Sequence, residues 1–176
     1  MSVPRAPLLT AALLAVLAGC VAPAGPAATL ASPATARFAA SAVDSVSAHR
    51  AAEGFLAAFD SLQFEPFRAY LAEEVTMFFP FPQFTARVDG RARVEEIFGQ
   101  FITAQREART RAGRPLVQGL EPRDLRLQMA GPDVAVVSFH LGAESRSRRS
   151  IVFHRDGGAW RVIHWHASSA PAPAGG

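Results

Sequence analysis

The sequence contains no lysine, because all 18 of its Lys and Arg residues are arginine. The absence of lysine excludes Schiff-base chemistry, which needs a lysine amine. It also leaves no lysine tract of the kind that binds nucleic acid or an acidic membrane, so we predict no nucleic-acid partner. The single cysteine, Cys20, excludes a disulfide within one chain.

The first 20 residues have the pattern of an export signal. Arg5 precedes an apolar run at residues 8–17, which is too short to span a membrane as a helix. Residues 17–20, LAGC, resemble the lipobox of bacterial lipoproteins, in which the cysteine is lipidated and becomes the new N-terminus. The alternative is cleavage at a later Ala-x-Ala site, with Cys20 incidental. The lipobox predicts export and a lipid anchor in the bacterial cell envelope, on the periplasmic or outer-surface side.

Composition divides the chain into four parts. Residues 1–19 are the predicted signal peptide, and residues 20–43 are an Ala/Pro-rich segment with too little apolar surface to fold, so we predict a disordered tether. Residues 44–168 are predicted to form one domain, and residues 169–176 a disordered tail.

Apolar residues at helical spacing predict three helices in this domain. The first begins at about Asp44 or Ser45, the second is short and begins at Glu65, and the third follows Asp89 and Gly90. A β-rich segment at residues 75–81 precedes the third helix. Alternating or apolar segments after residue 120 predict an antiparallel meander, at residues 125–129, 134–141, 150–155 and 160–167. The chain is therefore predicted to be an α+β protein, with three N-terminal helices packed on a curved antiparallel sheet.

Several motifs resemble those of a known family. Residues 153–171, FHRDGGAWRVIHWHASSAP, resemble the end of the association domain of calcium/calmodulin-dependent protein kinase II, which shares an HRRDGxW...HFHxSGAP pattern. FEP at residues 64–66, MFFP at residues 77–80 and the DG before the third helix are similar too. The resemblance covers about residues 47–171 and points to the nuclear transport factor 2-like superfamily, which includes SnoaL-like polyketide cyclases and ketosteroid isomerases. It implies a cone-shaped fold with helices packed into a bent sheet around a pocket, and often a dimer.

The chain departs from this family at the pocket. The kinase domain's pocket holds small carboxylates with a tyrosine, a histidine and arginines, and the first two of these fall on Phe67 and Val94 here. One arginine falls on Ser150 or, with one gap, on Arg149. The resemblance therefore implies the fold, and the function has to be argued from the site.

Strand alternation gives an independent prediction for the histidines near the C-terminus. If residues 160–167 form a regular strand, His164 and His166 lie on the inner face of the sheet and Trp165 on the outer face. Pairing of Arg155 with Trp160 then places Arg149 opposite His166. A turn at residues 142–147 adds His140, so that His140, Arg149 and His166 form one row across three strands.

This row favours an anion over a metal ion. The two outer histidines would be about 10 Å apart with a guanidinium between them, whereas zinc needs ligands that converge on one point. We therefore predict no metal and no cofactor. The predicted ligand-binding residues are His140, Arg149, His164, His166, Phe67 and Phe78.

Three functions fit this pattern. The first is a membrane-tethered domain that binds a small anionic or partly apolar ligand. The second is an isomerase, cyclase or hydratase with His164 or His166 as acid or base, although no carboxylate is forced inward. The third is a non-catalytic dimerisation module of an envelope complex. Either histidine could instead be hydrogen-bonded and inert.

Apolar side chains on the opposite face of the sheet predict a homodimer. Ile163 and Trp165 would turn outward beside Val152 of the neighbouring strand. An uncovered apolar surface of this kind commonly marks an interface, and the resemblance implies one on the same face.

Overall fold

The computed structural model describes residues 41–142 and 147–170. The predicted signal peptide, Cys20, nearly all of the predicted tether and most of the predicted tail lie outside the described residues. The described residues contain no helix that is both long and apolar enough to cross a membrane. Their helices and strands are α1 (Ala42–Asp60), α2 (Phe64–Arg68), β1 (Leu71–Phe78), β2 (Val88–Asp89), α3 (Arg91–Arg111), β3 (Pro122–Met129), β4 (Val134–Leu141), β5 (Ser147–Asp156) and β6 (Ala159–Ser169).

The first helix begins earlier than its apolar spacing predicts. Ser41 is the N-cap: its hydroxyl accepts from the Asp44 N–H at 3.1 Å, and the Asp44 carboxylate accepts from the Ser41 N–H at 3.0 Å. The Ser41 hydroxyl also donates to the Asp44 carboxylate at 2.7 Å, and this bond, together with the one from the Ser41 N–H, holds the pKa of Asp44 below its ordinary value. Asp44 is therefore the third helical residue of a capping box and not the cap itself.

The strands form one open, curved sheet in the order β2-β1-β6-β5-β4-β3. The predicted α+β class and the meander of the last four strands are confirmed. One pair differs from the predicted antiparallel sheet, because β1 runs parallel to β6. β1 and β6 are not consecutive in the chain, because β2, α3 and β3–β5 lie between them, so no hairpin turn imposes antiparallel pairing on them.

The buried core lies between the helices and the inner face of the sheet. Trp165 packs face to face with Phe98 of α3, with ring centroids 5.3 Å apart, and edge to face with Phe55 and Phe59 of α1 at 5.3 and 5.4 Å. In the described part of the chain, all buried core residues lie between Ala48 and Ala167. We refer to residues 41–176, which include this core, as the domain.

A β-bulge in β6 changes which side chains face the core. Arg155 pairs with Trp160 and Phe153 with Val162, as predicted, but Val152 pairs with His164, which leaves Ile163 without a partner. One extra residue reverses the alternation of every residue that follows it. Beyond the bulge, Trp165 and Ala167 are therefore on the inner face, and His164 and His166 are on the outer face.

The β4–β5 hairpin is also shifted by one residue from the predicted register. Leu141 pairs with Ser147, so Phe139 lies opposite Arg149 and His140 lies opposite Arg148. Phe139 is buried on the inner face, and the alternation of β4 places His140 on the outer face. Arg149 keeps its predicted inward orientation because it alternates with the buried Ile151 and Phe153.

Candidate functional site

A cavity of ≈ 130 Å³ lies between the inner face of the sheet and helix α3. Its described walls are almost entirely apolar, and Arg149 is the only charged side chain that residues 41–142 and 147–170 contribute to them. Its volume is close to that of an engineered apolar cavity of about 150 Å³ that binds benzene. The lining residues are Phe59, Met77, Phe79, Pro80, Phe81, Ile97, Phe98, Phe101, Gln118, Leu120, Leu141, Arg149, Trp165 and Ala167.

Arg149 brings a half-buried guanidinium to this cavity. Its Nη1 donates to the backbone carbonyls of Arg148 at 2.8 Å and Ser168 at 3.2 Å. No carboxylate lies within ion-pair distance in residues 41–142 and 147–170. Burial lowers the pKa of Arg149, as expected when a cation loses water without gaining a counter-charge. Arg149 therefore lies on the inner face of the sheet, as strand alternation predicts, and lines the cavity.

The segment between α3 and β3 closes one wall of the cavity. The Gln118 side chain donates to the Phe59 carbonyl at 2.5 Å, and the Leu120 N–H donates to the Asp60 carboxylate at 2.7 Å. Arg109 donates to the Gln118 carbonyl at 3.0 Å. These bonds fix Gln118 and Leu120 against the end of α1, so this wall is built into the fold.

The structure does not form the predicted row of histidines around Arg149. The inner row that contains Arg149 consists of Phe139, Arg149 and Ala167. His164 and His166 do not line the cavity, because the β6 bulge turns both to the outer face. The sequence-based placement of these two histidines on the inner face is wrong.

His164, His166 and Phe78 instead form a cluster on the outer face. Thr76 Oγ1 and His164 Nδ1 share a hydrogen bond of 2.7 Å. The Phe78 ring lies 6.0 Å from the ring of His164 and 5.6 Å from that of His166. Phe78 therefore contacts the predicted histidines, but it does so outside the cavity.

The two remaining predicted ligand residues are also outside the cavity. His140 lies beside Asp124, with Nδ1 and the carboxylate 3.7 Å apart, on the outer side of the sheet. Phe67 is fully buried in the aromatic core, 4.7 Å from the ring of Phe98. Of the six predicted ligand residues, only Arg149 lines the cavity.

The predicted dimer face needs a similar correction. Trp165 is only 4% exposed and belongs to the core, because the bulge turns it inward. Val152 does lie on the outer face. Ile163 sits at the bulge and lines a polar cleft with Glu74 and His154.

Among the residues that the structure describes, those at the centre of the outer face have neither a carboxylate nor a guanidinium. Two adjacent rows of paired residues cross β4, β5, β6 and β1 there. We call these eight residues the outer patch: Val136, Val152, His164 and Thr76 in one row, and Ser138, Ser150, His166 and Phe78 in the other. Within the described part of the chain, all three helices pack on the opposite face, so the outer patch is uncovered.

The side chains of the cavity limit its chemistry. Among the described residues that line it, Arg149 is the only group that titrates, so these residues supply neither a general base nor a nucleophile. In residues 41–142 and 147–170, no three His, Cys, Asp or Glu side chains are close enough to hold a metal ion. The arrangement is suited to binding a molecule with an apolar body and a group that accepts hydrogen bonds.

Sequence reasoning missed Trp165, Ala167, Gln118 and Leu120 as cavity residues. A signal for the first two was present. Apolar residues occupy alternate positions 160 and 162, and then positions 165 and 167, so the phase changes between them. A change of phase of this kind is typical of a bulge. No comparable signal marks Gln118 and Leu120, which reach the cavity through a loop.

Comparison with known proteins agrees with this architecture. A protein of unknown function from Pseudomonas putida KT2440, described as nuclear transport factor 2-like, is 19% identical and has a TM-score of 0.57; the match covers 74% of this chain and 89% of that protein. A proposed dehydratase of the same family from Streptomyces avermitilis is 18% identical, with a TM-score of 0.58 and coverage of 74% and 98%. The association domain of C. elegans CaMKII is 18% identical, with a TM-score of 0.52 and coverage of 72% and 96%.

These similarities establish the fold, which hosts both enzymes and binding domains. None of the curated proteins matches the chain significantly. The family model of the SnoaL-like domain matches residues 49–173, which is more than half of the chain. The chain therefore belongs to the SnoaL-like domain family.

Proposed function

We propose that the domain binds a small molecule that has an apolar body and an anionic group, and that the cavity at Arg149 is the binding site. The observation that carries this proposal is a half-buried guanidinium, without a counter-charge among the described residues, in a cavity whose other described walls are apolar except for Gln118. Desolvation of a cation is costly unless a partner compensates it. A carboxylate on the ligand would restore the lost interactions, while the aromatic walls would contact its body.

The size of the cavity narrows the choice of a probe. One six-membered ring matches the available volume, so cyclohexanecarboxylate is a suitable test ligand. We expect it to bind to the wild-type domain and to bind about 10- to 100-fold more weakly to Arg149→Met, because a hydrogen bond to a charged group contributes about 1.5–3 kcal/mol. Isothermal titration calorimetry would measure both affinities.

The neighbouring arginine provides a matched control. Arg148 is exposed on the outer face, so Arg148→Met removes the same charge without touching the cavity and should leave the affinity within about twofold. Glu144 belongs to the segment between β4 and β5, outside the described residues. If its carboxylate competes with the ligand for Arg149, Glu144→Gln should bind the ligand more tightly than the wild type does. Equal affinity of the Arg149→Met and wild-type domains would contradict the proposal.

Catalysis by His164 or His166 is less well supported than binding. Both rings lie on the outer face, while the aromatic cavity is on the inner face, so neither imidazole reaches a molecule held there. The similarity to a proposed dehydratase concerns the fold at 18% identity. Binding requires only the groups that the cavity contains.

We also propose that the domain forms a homodimer through the outer patch. Cores of protein interfaces are depleted in charged residues, and the centre of the outer patch has no formal charge. Phe78, which is 39% exposed, adds an apolar side chain to it. A surface that is neutral and carries both donors and acceptors is suited to pairing with itself about a two-fold axis. The solved relatives include an association domain.

This dimer is expected to weaken in acid. Burial, and then the charges of His166 and Arg87, lower the pKa of His164 below its ordinary value of 6.5. The other groups around it, Thr76 and Val152, carry no charge. Contact with a second copy would bury His164 further, so the dimer would bind fewer protons than two separate copies.

The sign of the effect follows from proton linkage. The dimer dissociation constant should be constant near pH 7.5 and should increase as the pH falls below 6.5. For each additional proton that the separated copies bind, the increase is at most about tenfold per pH unit. Sedimentation equilibrium at pH 7.5 and 5.0 would measure it. His164→Gln should remove most of the pH dependence, and His49→Gln, on helix α1, should retain it. A monomer at pH 7.5 and high protein concentration would refute the dimer itself.

The N-terminal segment supports a third proposal, that the domain is exported and tethered to a membrane by a lipid on Cys20. Its support is the lipobox sequence at residues 17–20, together with the apolar run at residues 8–17 that precedes it. Cells that express the full chain and are fed an alkyne fatty acid should label the wild type but not Cys20→Ser. Labelling of Cys20→Ser to the wild-type level would rule out this anchor.

A further inference from the structure

The two tryptophans of the chain differ in one respect that the proposed function leaves unexplained. The indole N–H of Trp160 donates to the Ser47 hydroxyl at 3.0 Å. The indole Nε1 of Trp165 is buried and has no hydrogen-bond partner among the described residues. Buried indole N–H groups usually have a partner, because a buried donor without one loses the hydrogen bond that it makes to water in the unfolded chain.

Trp165 also lines the cavity that contains Arg149. Arg149 lies opposite Ala167, and Trp165 is two residues before Ala167 on the same face of β6. Residues in this diagonal arrangement are about 7–8 Å apart. A ligand held at Arg149 would therefore extend its body along the Trp165 side chain.

We propose that the Trp165 indole N–H is a second polar anchor in the cavity, and that the ligand is a small carboxylate with an additional uncharged oxygen acceptor, such as a ketone, on its apolar body. This inference rests on the proposed binding function and adds a ligand class to it. The carboxylate meets Arg149, the second oxygen accepts from Trp165, and the aromatic walls contact the carbon skeleton between them. Among the other described wall residues, Gln118 is the only further polar side chain.

A set of matched ring acids tests this inference. Cyclohexanecarboxylate has only the carboxylate, while 3-oxo- and 4-oxocyclohexanecarboxylate add a ketone at two positions. We expect one of the keto acids to bind to the wild-type domain about 2- to 10-fold more tightly than the parent acid, because a neutral hydrogen bond contributes about 0.5–1.5 kcal/mol. Trp165→Phe retains a ring but lacks the N–H, so the preference should disappear in that variant. Trp160→Phe should retain it.

A spectroscopic readout makes the test independent of any change in stability. The chain has two tryptophans, so the ¹⁵N–¹H spectrum of the wild-type domain should show two indole signals. The signal that remains in Trp160→Phe belongs to Trp165. The preferred keto acid should move the Trp165 indole proton downfield, as hydrogen bonding does, and cyclohexanecarboxylate should not. This measurement decides the question even if Trp165→Phe fails to fold.

The outcomes separate this inference from the proposed function. If the acids bind through Arg149 but both keto acids match the parent acid in affinity and leave the indole signal unchanged, the second anchor is overturned; a water molecule on Nε1 would give this result. A preference that persists in Trp165→Phe would overturn it as well. If no ring acid binds, or if Arg149→Met binds as well as the wild type, the proposed function and the inference both fail.

Discussion

Trp165→Ala should reduce the free energy of unfolding of the domain by about 3–5 kcal/mol, whereas His166→Ala should change it by less than about 0.5 kcal/mol. Trp165 is the residue at which helices α1 and α3 meet the sheet, because its ring contacts Phe98, Phe55 and Phe59. Truncation would remove these contacts and enlarge the adjacent cavity. His166 is exposed on the outer face, so its removal leaves the core intact.

Urea denaturation of the two variants and the wild type at pH 7.5 would measure both changes. The pair is informative because the two residues are adjacent in β6. In a regular strand without the bulge, Trp165 would lie on the outer face and His166 on the inner face. A large loss for His166→Ala together with a small loss for Trp165→Ala would show that β6 has no bulge at Ile163, and the cavity described above would then not exist.

Ala167→Leu should abolish binding of cyclohexanecarboxylate, with a loss of affinity of at least about 100-fold, while the domain remains folded. Ala167 is buried opposite Arg149 and lines the cavity. A leucine there would occupy the space that a ring requires. Because an empty apolar volume receives the added methyl groups, we expect a stability change within about 1 kcal/mol, below the cost of overpacking a filled core.

The next residue supplies the control. Ser168 is on the opposite face and pairs with Arg148, so Ser168→Leu should leave the affinity within about twofold. Calorimetric titration of both variants, with circular dichroism to confirm folding, would test the prediction. Undiminished binding to Ala167→Leu would place the ligand elsewhere on the domain.

The fold was largely predictable because it depends on features that the sequence displays directly. Helical spacing of apolar residues and alternation after residue 120 are local patterns, and they gave three helices and the meander. The inward orientation of Arg149 was also predictable, since it alternates with Ile151 and Phe153 within one uninterrupted strand. The parallel pairing of β1 with β6 was not, because no local pattern specifies which strand β1 joins.

The site was less predictable because it depends on register. A single extra residue at Ile163 and a hairpin one residue shorter than predicted moved three histidines to the opposite face. Each error amounts to a single residue. A shift by one residue nevertheless moves every following side chain of the strand to the opposite face. Gln118 and Leu120 entered the site through loop hydrogen bonds, to Phe59 and Asp60, which no periodicity reveals.

The corrected faces keep ligand binding and self-association on opposite sides of β6, but they exchange the residues proposed for each. The inner residues of β6, Trp165 and Ala167, border the cavity, and the outer residues, His164 and His166, belong to the outer patch. Binding and self-association would then occupy opposite sides of the same sheet. Substitutions on one side should leave the other largely unaffected, which makes the two proposals separately testable.

A crystal structure of the domain with cyclohexanecarboxylate would show whether the acid binds in the cavity at Arg149. We predict electron density for the ring between Phe98, Met77 and Ala167, with the carboxylate within hydrogen-bond distance of the Arg149 guanidinium. Density for the acid beside His164 and His166 on the outer face, with the cavity at Arg149 empty, would show that the cavity is not the binding site.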